Sequence, residues 1–238
     1  PRVIDDDMTS FDDEIIEYLN DYATRLESKL VVYQQENKTN NYSIVNRNKF
    51  VSEDFTTCIQ TELRTLGLIQ NKHIPNDYLI NSRQNRLQLL AGIIDSDGNY
   101  TSEFNCFEIV QKDENFLNQI KFLCDTLGFR TSVRKKKTSI KSTGFEGVAF
   151  RLRIFGNLNE IPTKVERKKA REWKSKIDWT VTGIKVEFDK VDDYYGFEID
   201  GNRLFLLEDC TVTHNTAFVL SMARNMAIDF GHPVALFS

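Results

Sequence analysis

One pattern occurs twice in this chain, and it restricts the fold more than any other feature. Asp12, Ile15, Ile16, Leu19, Tyr22, Ala23 and Leu26 recur as Asp113, Phe116, Leu117, Ile120, Leu123, Cys124 and Leu127, each 101 positions later. The spacing is that of one face of an amphipathic helix, so it predicts helices over Phe11–Leu26 and again from about Asp113. Asp12 and Asp13 suit a helix N-terminus. A strand is expected after each helix, at Leu30–Tyr33 and at Thr131–Val133, the first running into a polar turn at Asn37–Asn41. Ile74-Pro75 and Ile161-Pro162, both near lysines, add a further echo. Two similar halves predict a pseudo-twofold arrangement.

Between the halves lies Arg86-Leu87-Gln88-Leu89-Leu90-Ala91-Gly92-Ile93-Ile94-Asp95-Ser96-Asp97-Gly98. Its apolar part is hydrophobic nearly all round as a helix, which predicts burial. Leu87–Ile94 is too short to cross a bilayer. Ala91 and Gly92 are small enough to let another helix approach closely, and Gly98 after the acids reads as a left-handed cap. Asn99–Val110 is expected to leave that helix as a strand, with Phe104, Cys106, Ile109 and Val110 as its apolar members. Glu146–Phe155 predicts a second strand with Val148, Phe150, Leu152 and Ile154 on one face.

From about Thr182 the pattern changes to short strands at Ile184–Phe188, Tyr194–Ile199, Leu204–Leu207 and Thr211–Thr213, separated by turns such as Asp200-Gly201-Asn202. After Thr216 it changes again, to an amphipathic helix over Ala217–Phe230 ended by Gly231 and a buried-type strand at Val234–Phe237.

The 238 residues suffice for one large domain or two small ones, and 40% apolar with 28% charged residues is ordinary for a soluble globular chain. Cys58, Cys106, Cys124 and Cys210 form no C-x-x-C pair and have no histidines at zinc spacing, so reduced thiols are expected rather than a metal cage. A net charge of −4 gives no global reason to expect nucleic acid, although bases gather at Arg130, Arg134, Lys135, Lys136, Lys137 and Lys141 and again over Lys164–Lys176. Pro1 opens the chain with no signal-peptide pattern behind it, which points to a fragment of a cytoplasmic protein with no membrane partner.

Thr213-His214-Asn215-Thr216 carries chemistry. An asparagine amide can attack its own backbone carbonyl and cleave the chain after itself, and a preceding histidine is placed to assist as an acid. A hydroxyl on the following residue can first accept an acyl group. Together with Tyr195-Gly196-Phe197-Glu198-Ile199-Asp200-Gly201-Asn202 and Phe205-Leu206-Leu207-Glu208-Asp209, this ending resembles the C-terminal splicing blocks of inteins. The resemblance implies that Asn215 cyclises, His214 assists and Thr216 is the acceptor at the start of the C-extein. Many inteins carry a histidine just before the Phe-Leu-Leu strand. Arg203 and Leu204 stand there in this chain, so the family's second assisting group has no match at that place.

Leu90–Gly98, as LAGIIDSDG, closely resembles the motif of LAGLIDADG homing endonucleases, which are often embedded in inteins. In that family two such helices meet at a pseudo-twofold axis and the last acid of each binds a divalent metal. Asp97 is the matching residue, which implies Mg²⁺ ligation for phosphodiester hydrolysis. Lys72, in Lys72-His73-Ile74-Pro75, and Lys168 or Lys169, in Arg167-Lys168-Lys169, are candidates for the basic residues of the site. The offset of 101 puts the counterpart of Asp97 just ahead of Pro1. A partner helix with the second acid, and the N-terminal splicing blocks, are therefore expected upstream.

Thr216–Asn225 and Pro233–Ser238 resemble the segment after the Walker A lysine in DnaB-type replicative helicases. In G-x-x-x-x-G-K-[ST], Thr216 would be the last residue, coordinating Mg²⁺ at bound ATP once the insert is removed. The expected architecture is α+β: a LAGLIDADG endonuclease of αββαββα-type pseudo-repeat over residues 1–180, an all-β Hint-like splicing segment over 181–215, and a short α/β RecA-like helicase segment over 216–238. Double-stranded DNA, the upstream half of the intein and a homo-hexamer of the spliced helicase are the implied partners. Alternating residues of Asn99–Val110 and Glu146–Phe155 would face the DNA groove, with Lys and Arg on phosphates. A free-standing LAGLIDADG endonuclease or RNA-splicing maturase would not need the His-Asn-Thr ending. A degenerate, non-catalytic remnant fits the missing histidine but not the retained Asp97.

Overall fold

The computed structural model describes residues 8–9, 12–34, 40–46, 58–69, 71–140, 145–174, 187, 199–207, 210, 212–214, 223–224, 226–228, 230–231 and 233–234. The chain divides into two compact units, Pro1–Ile177 and Asp178–Ser238.

In the first unit the repeat becomes structure. Helix α1 spans Asp13–Arg25, preceded by the short strand β1 (Met8–Thr9) and followed by β2 (Ser28–Tyr33) and β3 (Asn41–Asn46). Two short helices, α2 (Cys58–Thr65) and α3 (Asn76–Leu79), lead to α4 (Arg83–Asp97). Strands β4 (Gly98–Thr101) and β5 (Cys106–Gln111) follow, then helix α5 (Glu114–Thr126), and then β6 (Arg130–Ile140) and β7 (Phe145–Phe155). Both ends of α5 lie 101 positions after those of α1. The sheets repeat the relation. The first is ordered β1-β3-β2, the second β4-β5-β7-β6, all antiparallel. β1 pairs with β3 as β5 pairs with β7, and Met8 and Thr9 sit 101 positions before Ile109 and Val110 of β5.

The core lies in the second half. Phe107 and Ile109 of β5, Leu152 and Ile154 of β7, Leu117, Ile120 and Leu123 of α5, and Leu90 and Ile94 of α4 are all fully enclosed. Alternation along the strands puts these side chains on one face, the two helices cover that face, and the opposite face carries Glu108, Arg151 and Arg153 beside Cys106, Val110 and Ala149.

Three local expectations are corrected. Asn99–Val110 is not one strand but a hairpin, β4 and β5, because residues 102–105 turn back and Asn105 adopts a positive φ of 42°. Phe104 stands exposed in that turn rather than on a strand. The α4 helix is not buried all round: Leu90, Ala91, Ile94 and Asp95 are enclosed, while Gln88, Gly92 and Ser96 form an exposed stripe. Gly98 is not a left-handed cap. Its φ is −89°, and it is needed for a different reason: a Cβ there would lie 2.8 Å from the Cα and the carbonyl oxygen of Ile94. The chain leaves α4 for β4 by folding back against the helix's own last turn.

In the second unit, β8 (Leu204–Leu206) and β9 (Val212–His214) pair antiparallel, with Leu204 opposite His214. Gly201, at φ +71°, makes the turn at Asp200–Asn202, and the Asn202 side chain accepts a hydrogen bond from the Leu204 amide. Residues 223–224 and 226–228 are helical and Gly231 has φ +65°, in keeping with the expected helix end. Asn215, Thr216 and most of the strands expected at 184–188, 194–199 and 234–237 lie outside the described residues. No described helix is long and apolar enough to cross a membrane.

Candidate active site at the end of α4

The α4 helix is fixed at both ends. At its start the Ser82 hydroxyl accepts from the Asn85 amide, an N-cap that satisfies one orphan donor. Arg83 and Arg86 reach across to the last carbonyls of α5, Arg83 to Leu127 O at 2.8 Å and Arg86 to Thr126 O at 3.2 Å. Cations at a helix C-terminus complement its dipole, so these two arginines lock α4 against α5. The far end of α4, with Asp95 and Asp97, is thereby held in place.

Asp97 is the focus. Its Oδ2 accepts from Lys72 Nζ at 2.7 Å and from Gln111 Nε2 at 2.8 Å. Burial is the largest influence on its carboxyl and acts to raise the pKa. The hydrogen bonds from Lys72 and Gln111, with the charges of Lys72 and Lys168, outweigh it and hold Asp97 below the usual carboxylate range. The group is ionised and about 40% open to solvent, with a side-chain exposure of 39%.

Lys168 comes to the same turn from the other side. Only 3% exposed, it donates from Nζ to Ile94 O at 3.0 Å and Asp95 O at 2.6 Å. Burial pushes its pKa down, assisted by Arg167, against the pull of Asp12, Asp95 and Asp97. Its amine is committed to carbonyls, whereas Lys72, with a side-chain exposure of 59%, sits at the solvent edge. The side chain of Lys169 instead pairs with Glu166 on the surface.

Asp95 and Gln111 were missed in the sequence, and both had a signal. The Asp95 carboxylate is buried and accepts from the backbone amides of Lys164 at 2.8 Å and Val165 at 3.2 Å. An acid that follows an apolar run with helical spacing falls on the enclosed face, and a buried acid needs partners. Gln111 continues the inward alternation Phe107, Ile109, so a polar side chain was due at an inward-facing strand end.

The outward face of the second sheet is basic. Ser132, Arg134 and Lys136 of β6 alternate with Arg151 and Arg153 of β7, opposite Glu108 of β5. Glu108 pairs with Arg153 and lies 3.8 Å from Arg151. β6 and β7 pair along eleven residues each, but β5 reaches only to Phe150, so the pairs from Lys136–Ala149 outward form an unsupported ribbon.

Among the described residues no three His, Cys, Asp or Glu side chains gather as a metal cage. Asp97 offers a single carboxylate. That donor set suits a Mg²⁺ ion, which is commonly held by one or two carboxylates and completed by water and phosphate oxygens. The sequence-predicted residues Asp97, Lys72 and Lys168 are thus brought together. His214 is placed on β9, in the second unit, and Asn215 and Thr216 lie outside the described residues.

Residues 73–174 match the family model described as Homing endonuclease. The replicative DNA helicase DnaB of Mycobacterium intracellulare is 28% identical over 188 residues, which are 76% of this chain and 32% of that protein. The chain therefore spans about a third of the length of that relative. Among solved structures, mesophilic variants of the homing endonuclease I-DmoI superpose with a TM-score of 0.37 at 11% identity, over 59% of each chain. I-DmoI in complex with DNA and Ca gives 0.37 at 10% identity, again over 59% of each. Residues 73–174 are thus similar to homing endonucleases, and the chain is similar in sequence to a DnaB replicative helicase.

Proposed function

We propose that the chain is part of an intein that carries a LAGLIDADG-type homing endonuclease and interrupts a DnaB-type replicative helicase. The observation behind the nuclease assignment is the convergence on one helix turn: Asp97 held ionised by Lys72 and Gln111, with Lys168 fastened to the carbonyls just before it. Asp97 would ligate Mg²⁺, which when bound activates water and stabilises the leaving oxygen of a phosphodiester. Lys72, exposed beside Asp97, orients the carboxylate and can meet a phosphate. The basic outer face of β6 and β7 would take the DNA, with arginines and lysines on phosphates and the polar residues between them toward base edges.

The partner for α4 would be an equivalent helix supplied upstream, as the repeat offset implies. An apolar groove of about 630 Å³, lined by Tyr22, Leu26, Leu63, Leu66, Leu89 and Ile93 among others, is open in the first unit where such a helix would pack.

Splicing is assigned to the second unit. Asn215 would cyclise with His214 assisting, and Thr216 would accept the acyl group. The register of β8 and β9, with Leu204 opposite His214, supports this reading, since it joins the two segments that resemble splicing blocks. In the joined host, a cytoplasmic hexamer, Thr216 would bind Mg²⁺ with ATP at the phosphate loop.

Two assays test the reading. In a precursor restored upstream, intact mass over time should show a product beginning at Thr216 or a ligated host in wild type but not in Asn215→Ala. A plasmid carrying the uninterrupted host gene should be cut in Mg²⁺ by wild type, and about 100-fold or more slowly by Asp97→Asn. Equal cutting by both proteins would remove Asp97 from the site, and unchanged mass in both precursors would remove the splicing assignment.

A further inference from the structure

Residues 164–168 are bonded on two sides. Toward α4, the amides of Lys164 and Val165 donate to the Asp95 carboxylate, and Lys168 donates to Ile94 O and Asp95 O. Toward α1, Arg167 forks onto Asp12, with Nε to Oδ1 and Nη2 to Oδ2 both at 2.8 Å. The Glu166 amide donates to Glu14 at 3.0 Å, and Lys164 Nζ lies 4.6 Å from the centre of the Tyr18 ring. One short segment of the second half therefore ties the first half's helix to the turn that carries Asp97.

The repeat shows that this use of Asp12 is a departure. Its counterpart, Asp113, caps its own helix by accepting from the Phe116 amide at 3.1 Å. Asp12 stands at the same position of α1 and gives that helix no side-chain cap. Its two oxygens go to Arg167 instead, whose planar fork fixes direction as well as distance.

We propose that Arg167 is a positioning residue for Asp97: by gripping Asp12 it registers residues 164–168 between α1 and the last turn of α4. The segment cannot shift along α1 without moving the two amides that hold Asp95 or the lysine that holds the carbonyls of Ile94 and Asp95. The orientation of Asp97, two residues on, follows from that turn. This role rests on the reading of Asp97 as the metal-binding acid.

The test compares wild type with Arg167→Gln, Arg167→Lys and the exchange Asp12→Arg with Arg167→Asp, all in the full chain restored upstream. On the plasmid with the uninterrupted host gene, Arg167→Gln is expected to raise the Mg²⁺ midpoint for cleavage about tenfold while DNA affinity measured in Ca²⁺ stays within twofold. Arg167→Lys, which cannot fork, should behave like Arg167→Gln, and the exchange should recover most of the loss. Without DNA, the Lys164 and Val165 amides should exchange with solvent at least tenfold faster in Arg167→Gln. An unchanged Mg²⁺ midpoint, or a Lys variant as good as wild type, would overturn the proposal. So would unchanged exchange at both amides. Failure of the nuclease reading is a separate result, equal cleavage by wild type and Asp97→Asn, and the exchange rates then still decide whether the latch exists.

Discussion

The two repeats begin from one pattern and end as different structures. α5 encloses Phe116, Leu117, Ile120, Leu123 and Cys124, whereas α1, at the matching positions, encloses only Leu19 and Ala23 and leaves Tyr22 exposed. By sequence α1 is the more amphipathic of the two and α5 the more apolar. α5 is covered by α4 and a four-stranded sheet, while α1 meets a three-stranded sheet and an open groove. An apolar stripe states how much surface a helix offers for burial. Whether that surface is buried depends on a third layer, which the second half has and the described first half does not.

The largest test of that contrast is truncation at matched positions. Leu117→Ala should cost about 3 kcal/mol, as for a fully enclosed leucine. Ile16→Ala, at a half-buried site, should cost only about 1 kcal/mol. Urea midpoints for the two variants would measure the difference. If a helix supplied upstream fills the groove beside α1, the gap should narrow in a chain that includes it.

A smaller contrast lies where each helix turns into its strand. Gly128 follows α5 at φ +86°, and the Gly128 and Phe129 amides close onto Asp125 O and Cys124 O in a Schellman arrangement. Its counterpart after α1 is Glu27, at φ +52°. The left-handed region costs a residue with a Cβ about 1–2 kcal/mol. Glu27→Gly is therefore expected to stabilise by up to about 1 kcal/mol, and Gly128→Glu to destabilise by about 1–2 kcal/mol despite open space around it. Thermal melts would show opposite signs for the two changes. The caps come next in size: Asp113→Ala removes the bond to Phe116 N and should cost about 1 kcal/mol by the same measurement.

These comparisons also mark what the sequence could convey. The offset of 101 is visible in residue types because helices and strands have fixed periods, and it predicted the two helices and the strand after each, whereas Asp97 was singled out by the resemblance of Leu90–Gly98 to a known motif. Lys72 and Lys168 were legible only as basic residues near repeated Ile-Pro pairs; that one sits on the Asp97 carboxylate and the other on carbonyls depends on how distant segments pack. Gly98 was assigned to the right place for the wrong reason, since a close approach to Ile94 leaves no trace that differs from a left-handed turn. The hairpin at 102–105 was hidden because Phe104 and Cys106 continued an apolar alternation across it. Asp12 could not be separated from Asp113 by pattern, because the difference lies in Arg167, 155 residues away.

That last difference has a pH signature of the smallest expected size. The hydrogen bonds from Arg167 are the main cause that lowers the Asp12 carboxyl below its usual value, against a smaller opposing effect of burial. A group whose folded pKa is depressed adds stability above its unfolded pKa and loses it as the pH falls through the folded value. The Asp12 contribution should thus be complete above about pH 5 and decline from about pH 4 downward. Because the Arg167 side of the pair is open to solvent, the amount is about 0.5 kcal/mol and should shrink further in 1 M salt. Asp113 accepts from an uncharged amide, so its contribution should hardly respond to salt. Stability of wild type, Asp12→Asn and Asp113→Asn, followed between pH 3 and pH 7 at two salt concentrations, reads both. A salt-sensitive difference confined to Asp12 would show that the first helix has exchanged a local cap for a distant charge. Equal salt responses at both positions would mean that the two aspartates do the same work, and that the repeats differ only in what covers them.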